Sequence, residues 1–410
     1  MKDSKGITDR ISIGIARQVM LTAQGLDRAP DRPATKVDIL EAIRCMGALQ
    51  IDTIHVVRRS PYLVLWSRLG DYRPEWLDEL LTEGALFEYW SHAMCWLPIE
   101  DYPLYRRRML DAIKDNGWPM KWAVNWLRDN PETIERVLSH LRENGAVRSA
   151  EFESKERPPG GWWNWKEEKN ALEALFFTGE VMIARRQNFQ RVYDLRERVI
   201  PGWDDAAVPS TDEVQRTMTL RAVRALGIAF PMWVPDYFQQ PKKGISQRLE
   251  ALAKEGLLLR VEVEGFEGPA YFHPDNLGLI EEVASGSREP TLTTLLSPFD
   301  PLVRDRQRAR QLFGFDYTIE CYTPAQKRRY GYFTLPILRG GQLIGRLDPK
   351  AHRAQGVFEI KALYLEPGVP ISKELAADLV GALQRLAEWH ATPDLVIRRS
   401  DPPELAALLV

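Results

Sequence analysis

A glutamine and an aspartate two residues apart, Gln50 and Asp52, are the residues of this 410-residue chain best suited to chemistry; they lie in the segment MGALQIDTIHVVRRSPYLVLWSRLG that begins at Met46. If the backbone runs extended as it leaves the preceding helix, Gln50 and Asp52 share one face while Leu49 and Ile51 point into the core. A carboxylate and an amide on one cavity suit hydrolysis of an N-glycosidic bond. Ionised Asp52 would stabilise the positive charge that builds on the deoxyribose and take a proton from the attacking water, which Gln50 holds. A buried glutamine and an aspartate capping the next helix is the commoner meaning of such residues, and the segment by itself leaves both readings open. Immediately downstream, Arg58 and Arg59 precede Ser60-Pro61, an N-cap and N1 pair that opens the helix PYLVLWSRLG. A helix N-terminus flanked by two arginines is a natural seat for a phosphate of the DNA backbone.

Other chemistry has little to stand on. The chain has no GxxxxGK followed by Ser or Thr, no GxGxxG after a strand, no HExxH, no GxSxG and no HxE with PCxxC, which argues against nucleotide-driven and zinc-dependent reactions. His55, His92, His140, His273, His352 and His390 never pair at ligand spacing, so no metal site and no cofactor are expected. Cys45, Cys95 and Cys321 are odd in number and scattered, and read as buried free thiols. No apolar leader follows the charged start MKDSKGITDR and no stretch of about 18 apolar residues occurs, so a cytoplasmic protein without membrane contact is expected. The net charge of −2 does not advertise nucleic acid, so a DNA-binding surface would have to be local. Arginines do cluster, in RRQNFQRVYDLRER from Arg185, RDRQRAR from Arg304 and QKRRY from Gln326.

The elements that would position these residues follow a repeating order of helices and then a polar hairpin. From Pro131, PETIERVLSHLRENGAV is an amphipathic helix stopped by Gly145, SAEFE a short second helix, KEEKNALEALFFTG a third, and EVMIARRQNFQRVYDL two strands about a polar turn. That is the order of a winged helix. A second copy is predicted over residues 210–275, and the mostly helical residues 10–125 could hold a first, with insertions. Beyond about residue 290, β-rich runs at IECYTP, YGYFTLPILRGGQLIGRLDPK and GVFEIKALYLEP precede a last helix, SKELAADLVGALQRLAEWHA. The predicted fold is α+β: a helical or winged-helix domain at 1–127, winged helices at 128–205 and 206–289, and a β-rich α+β domain at 290–410. Most winged helices only recognise DNA or protein, so a non-enzymatic DNA-binding regulator is the alternative this architecture leaves open.

Longer blocks carry more information than any short motif. LQIDTIHVVRRSPYLVLWSRLGDY from Leu49, EYWSHAMCWLP from Glu88, GWWNWKEEKNALEALFFTGEVMIARRQNFQRVYDL from Gly161 and LSPFDPLVRDRQRARQLFGFDYTIECYTPAQKRRYGYFTLPIL from Leu296 resemble, in the same order, the YcaQ/AlkX and AlkZ family of crosslink-unhooking DNA glycosylases, with most likeness to the YcaQ branch. The resemblance implies three winged helices and a C-terminal β-rich domain around a C-shaped, DNA-sized channel. It implies a catalytic QxD motif in Gln50-Ile51-Asp52, with Asp52 as general base or cation stabiliser and Gln50 as its water-positioning partner. The hairpin of the second winged helix is implied to approach the lesion, which makes Arg185, Arg186, Asn188, Phe189 and Arg191 candidate DNA contacts beside Arg58, Arg59 and Ser60. The implied substrate is double-stranded DNA carrying N7-alkylated or crosslinked purines, acted on by a monomer at the nucleoid. No lysine adjoins the QxD motif, so a monofunctional enzyme that leaves abasic sites is expected. His92 could orient a catalytic or phosphate group, although a satisfied core histidine fits its aromatic neighbours; Asp300, between two prolines, reads as a turn or cap residue, and Trp162, Trp163 and Trp165 as a packing wedge.

Overall fold

A computed structural model describes residues 10–115, 121–152 and 167–409, an α+β chain; Trp162, Trp163 and Trp165 lie outside the described residues. The chain forms two compact units, Met1–Arg73 with Met218–Val410, and Pro74–Thr217. No helix among the described residues is long and apolar enough to cross a membrane.

The first unit contains the predicted helix, helix, helix, hairpin order over 210–275. Its elements are the helix Thr211–Leu226, which enters this unit at Met218, the helices Trp233–Tyr237 and Ile245–Lys254, and the antiparallel strands Leu259–Val263 and Ala270–Phe272. The strand Arg10–Ile11 pairs parallel with Leu259–Val263, a union that no local pattern predicts. The β-rich domain is a six-stranded sheet in the order Thr293–Leu295, Leu335–Arg339, Gln342–His352, Val357–Leu365, Asp394–Ile397, with Ser400–Asp401 also on Val357–Leu365. Its tightest turn is Gly340-Gly341, where both residues have positive φ (50° and 79°), as a two-residue hairpin between right-twisted strands requires. The last predicted helix forms at Lys373–Trp389, with Ser372 capping Leu375 and the buried stripe Leu375, Leu379, Leu383, Leu386 turned to the sheet.

IECYTP, read from its composition as a strand, is not one: residues 319–324 belong to a loop. Glu320 is the physical reason. Its carboxylate accepts from the backbone N–H groups of Arg329, Tyr330 and Gly331 (2.9, 2.8 and 3.0 Å), which closes the chain on itself instead of offering it to a ladder.

The helix Ser60–Leu69 is buried from Ser60 to Arg68. Arg68 is an unusual resident of such a helix, and its guanidinium is fully engaged: two bonds to the Asp300 carboxylate at 2.6 and 3.0 Å, and others to the Gln24 and Val64 carbonyls. The two side chains are 3% and 0% exposed. Asp300 also accepts from Leu302 N–H and so caps the turn Pro301–Arg304, as its place between two prolines predicted.

The second unit holds, from residue 131, the predicted first and third helices and the hairpin, while the expected short second helix is only a 3-10 turn. Pro131–Asn144 ends at Gly145 with φ 81°, Ser149–Phe152 is a single 3-10 turn, and Glu167–Thr178 leads into the hairpin Val181–Gln187 and Gln190–Leu195, whose second strand also pairs with Val147–Arg148. Ahead of it lies a second hairpin, Leu86–Trp90 with Met94–Pro98, inside a stretch the sequence suggested was mostly helical. Most of its residues are buried on both faces, so the alternation that announces a half-buried strand is missing.

Because a buried ion pair broken on one side leaves a charge in low dielectric, Asp300→Ala is expected to cost about 3–5 kcal/mol of unfolding free energy, while the double change Arg68→Met with Asp300→Leu costs far less. Denaturant unfolding measures both; a loss below about 1 kcal/mol for Asp300→Ala would mean that the pair is not desolvated as described.

Candidate functional site

The alternation expected around Gln50 is present. Leu49 and Ile51 are buried, Gln50 and Asp52 half-buried, and the strand Leu49–Gln50 opens into an irregular segment that runs to Arg59. Gly47, with φ 70°, ends the preceding helix where any Cβ would meet the Phe238 ring at 2.7 Å. The Asp52 carboxylate accepts from Ile54 N–H at 2.8 Å, an Asx turn that fixes its direction. Burial raises the Asp52 carboxyl above the usual carboxylate range, with the Ile54 bond opposing. A partly desolvated carboxylate is a better proton acceptor and a stronger partner for a nearby cation than one in bulk water.

Two residues without an expected role at the site feel its charge. Asp52 lies within electrostatic reach of Cys321 and Tyr322 in the Glu320 loop: burial first and then the Asp52 charge push the Cys321 thiol up, and Cys321, partial burial and then Asp52 push the Tyr322 phenol up. Of the three thiols expected to be buried only Cys95 is; Cys45 is exposed and Cys321 half-buried.

Downstream, cations gather. Val56 O accepts from Ala351 N–H at 3.1 Å, Val57 O accepts from the Arg353 guanidinium, and Arg353 also donates to His55 Nε2 at 2.9 Å. Arg58 lies over the Trp389 ring at 5.7 Å, and that ring is fixed by its Nε1–H bond to the Tyr72 carbonyl. Among the described residues neither Arg58 nor Arg353 has a carboxylate partner. Burial, and then Arg353, Arg59 and Arg58, push His55 down to about 4, so it is neutral at pH 7 and accepts from Arg353, which puts its proton on Nδ1. His55 and Arg353 are 298 residues apart, beyond the reach of any local motif. Ser60 does not join this group. It is wholly buried, its hydroxyl bonds Ser297 Oγ at 2.6 Å, and the helix N-terminus it begins is covered, so the expected phosphate contact there is corrected.

The hairpin of the second unit also differs from expectation. Arg186 and Arg191 are a directly opposed cross-strand pair, and both guanidinium groups converge on Glu88, whose carboxylate is 0% exposed: Arg186 at 2.7 and 2.7 Å, Arg191 at 2.6 Å. Arg191 also reaches Glu173, and Arg186 the Phe189 carbonyl. Burial works against the Glu88 charge, and the two arginines outweigh it. DNA contacts from Arg186 and Arg191 are therefore corrected to a structural role. Arg185 and Asn188, on the exposed side, remain free to meet solvent or a ligand. Asn188 and Phe189 form the two-residue turn with φ 50° and 67°, a conformation rare for phenylalanine, which is held by Arg186 over its ring (4.6 Å) and by an edge contact with Trp96. His92 sits half-buried in the tip of the neighbouring hairpin, with Cys95 Sγ 4.0 Å from both ring nitrogens. Among the described residues no group of three His, Cys, Asp or Glu is placed to hold a metal ion.

The family model described as DNA glycosylase AlkZ-like matches residues 43–389, from the helix before Gln50 to Trp389. The chain belongs to the AlkZ-like DNA glycosylase family. Its substrate is thus DNA and its activity that of an enzyme, which sets aside the non-enzymatic regulator. The fold agrees: the Streptomyces sahachiroi DNA glycosylase AlkZ superposes with a TM-score of 0.59 at 14% identity, over 95% of this chain and 100% of that one. A DNA glycosylase must hold a polyanion, and Arg58 and Arg353, which have no carboxylate partner among the described residues, suit that need.

The neutral imidazoles give a pH prediction. His390, which is buried and bonded to Thr392, is likewise pushed down to about 4, by burial and then Arg353 and Arg58. Since a free imidazole titrates near 6.5, the unfolded chain takes up these protons first, and stability should fall as pH drops from 6.5 toward 4. NMR titration of the ring C–H signals should show these two histidines unprotonated at pH 5.5; a midpoint near 6.5 for His55 would contradict the contact with Arg353.

Proposed function

We propose that this AlkZ-like protein is a monofunctional DNA glycosylase that releases N7-alkylated purines, including those joined across the two strands, with Asp52 and Gln50 as its catalytic pair. The observation that carries the reading is the half-buried Asp52 carboxylate, partly desolvated and held by Ile54 N–H, two residues from the half-buried Gln50.

N7 alkylation leaves the purine cationic. When the C1′–N9 bond breaks, its electrons pass to the ring and neutralise it, so the base leaves without a general acid. Positive charge moves to the sugar, where Asp52 stabilises it. Water held by Gln50 then adds its oxygen to C1′ and gives its proton to Asp52, which leaves an abasic site. A crosslinked base is tethered to the opposite strand and cannot swing freely into a closed pocket, so a site on a surface segment suits it better than a deep cavity.

Arg58, Arg59 and Arg353 are proposed as phosphate contacts beside this pair, and Arg185, Asn188 and Phe189 as DNA contacts of the second unit. Side-chain cations replace the buried helix N-terminus as the phosphate seat.

Asp52→Asn keeps the shape and removes the charge. It is expected to slow release of N7-methylguanine about 10²- to 10⁴-fold with affinity for the duplex unchanged. The acid limb of the wild-type rate profile should lie above pH 3.8, since activity needs ionised Asp52 and its carboxyl is raised from that value. Single-turnover excision and a binding titration check this; parallel loss of binding and release would count against a catalytic Asp52.

A further inference from the structure

The loop that replaces the predicted strand at IECYTP is built to hold one side chain out. Tyr322 is 83% exposed, more than any other large hydrophobic side chain among the described residues. A lone exposed tyrosine means little. Here the backbone beneath it is fixed from several directions. Glu320 accepts three backbone N–H bonds from the far side of the loop, Thr323 N–H bonds the Glu320 carbonyl, and Arg328 Nε–H bonds the Thr323 carbonyl. At its base the guanidinium of Arg346 lies between the rings of Phe315 (4.4 Å) and Tyr330 (4.3 Å), and Gly331 packs where a Cβ would strike Asp348. Two of the loop's three cations lie over its own rings, Arg328 over Tyr332 and Arg329 over Tyr330, and the third, Lys327, is exposed. What the loop presents is an exposed ring, and the loop is tied to the Asp52 segment by one strand, Gln342–His352: Gly331 packs on its Asp348, and its Ala351 N–H bonds the Val56 carbonyl, with Asp52 within electrostatic reach of Tyr322, 270 residues away in the chain.

A rigidly mounted, exposed ring within the field of a carboxylate suits a flat, positively charged ligand. Bases stack on aromatic side chains whatever their identity, and a cationic ring adds attraction to the negative π-face. We infer that the ring of Tyr322 is a stacking surface for the cationic purine of the lesion, holding that nucleotide beside Asp52 and favouring charged over neutral bases. This rests on the substrate proposed above. The phenol hydroxyl takes no part.

Wild type, Tyr322→Phe and Tyr322→Ala are compared in single-turnover release of N7-methylguanine from a duplex, with affinity for the undamaged duplex and the melting temperature measured alongside. Tyr322→Ala is expected to lower release efficiency roughly ten- to hundredfold and Tyr322→Phe less than about threefold, with undamaged-duplex binding and melting unchanged. Release by Tyr322→Ala within about twofold of wild type overturns the inference, as does a Tyr322→Phe defect as deep as that of Tyr322→Ala, or an equal loss of affinity for undamaged DNA. Wild-type protein that releases no base overturns the substrate reading as well, so the two failures are told apart.

Discussion

The first unit is organised about one desolvated contact, the Arg68–Asp300 ion pair. It joins the helix that follows the Gln50–Arg59 segment to the turn that follows the first strand of the six-stranded sheet, across 232 residues of chain, with Ser60 and Ser297 hydrogen-bonded alongside. Such a pair contributes little net stability compared with well-packed apolar side chains, but its geometry is demanding: any other register leaves two charges buried without partners. The segment is held elsewhere too. Tyr237 OH bonds the Met46 carbonyl upstream, and the Val56 and Val57 carbonyls are bonded from Ala351 and Arg353. Gln50, at the end of a two-residue strand, and Asp52, on the irregular backbone that follows, therefore have neighbours fixed by long-range contacts. Catalytic groups need such fixing, because an error of about 1 Å in position can cost on the order of a hundredfold in rate.

Arginine serves two purposes in this protein, and burial separates them. Arg68, Arg186, Arg308 and Arg346 are structural, their guanidinium groups enclosed by carboxylates, carbonyls or aromatic rings. Five donors and a flat face let arginine satisfy a buried site in a way lysine cannot. Arg58 and Arg353 have no acidic partner among the described residues, and burial and then the arginines' field keep His55 neutral. A chain with a net charge of −2 can thus still present a local cationic surface to a polyanion.

Features written in local periodicity were legible from the residues. The winged helix from Pro131, the helix Lys373–Trp389 and the alternation of Leu49, Gln50, Ile51 and Asp52 all follow from spacing, and the long aromatic-rich blocks led to the right family. Features that depend on a distant partner were not. Arg186 and Arg191 look like a basic DNA-binding turn until Glu88, about a hundred positions earlier, is found between them. Ser60 looks like an exposed cap until Ser297 covers it, and IECYTP looks like a strand until Glu320 turns the chain back on itself. The hairpin Leu86–Pro98 was hidden for another reason: with most of both faces buried it has no period to read.

The most direct test is to incubate the protein, in EDTA, with a duplex carrying a defined N7-guanine interstrand crosslink and to run the products on a denaturing gel with and without alkali. Conversion to single strands that break only after alkali is expected, because base release by Asp52 chemistry unhooks the link and leaves an abasic site. A crosslink left intact, with an N7-methylguanine duplex equally inert, would contradict it.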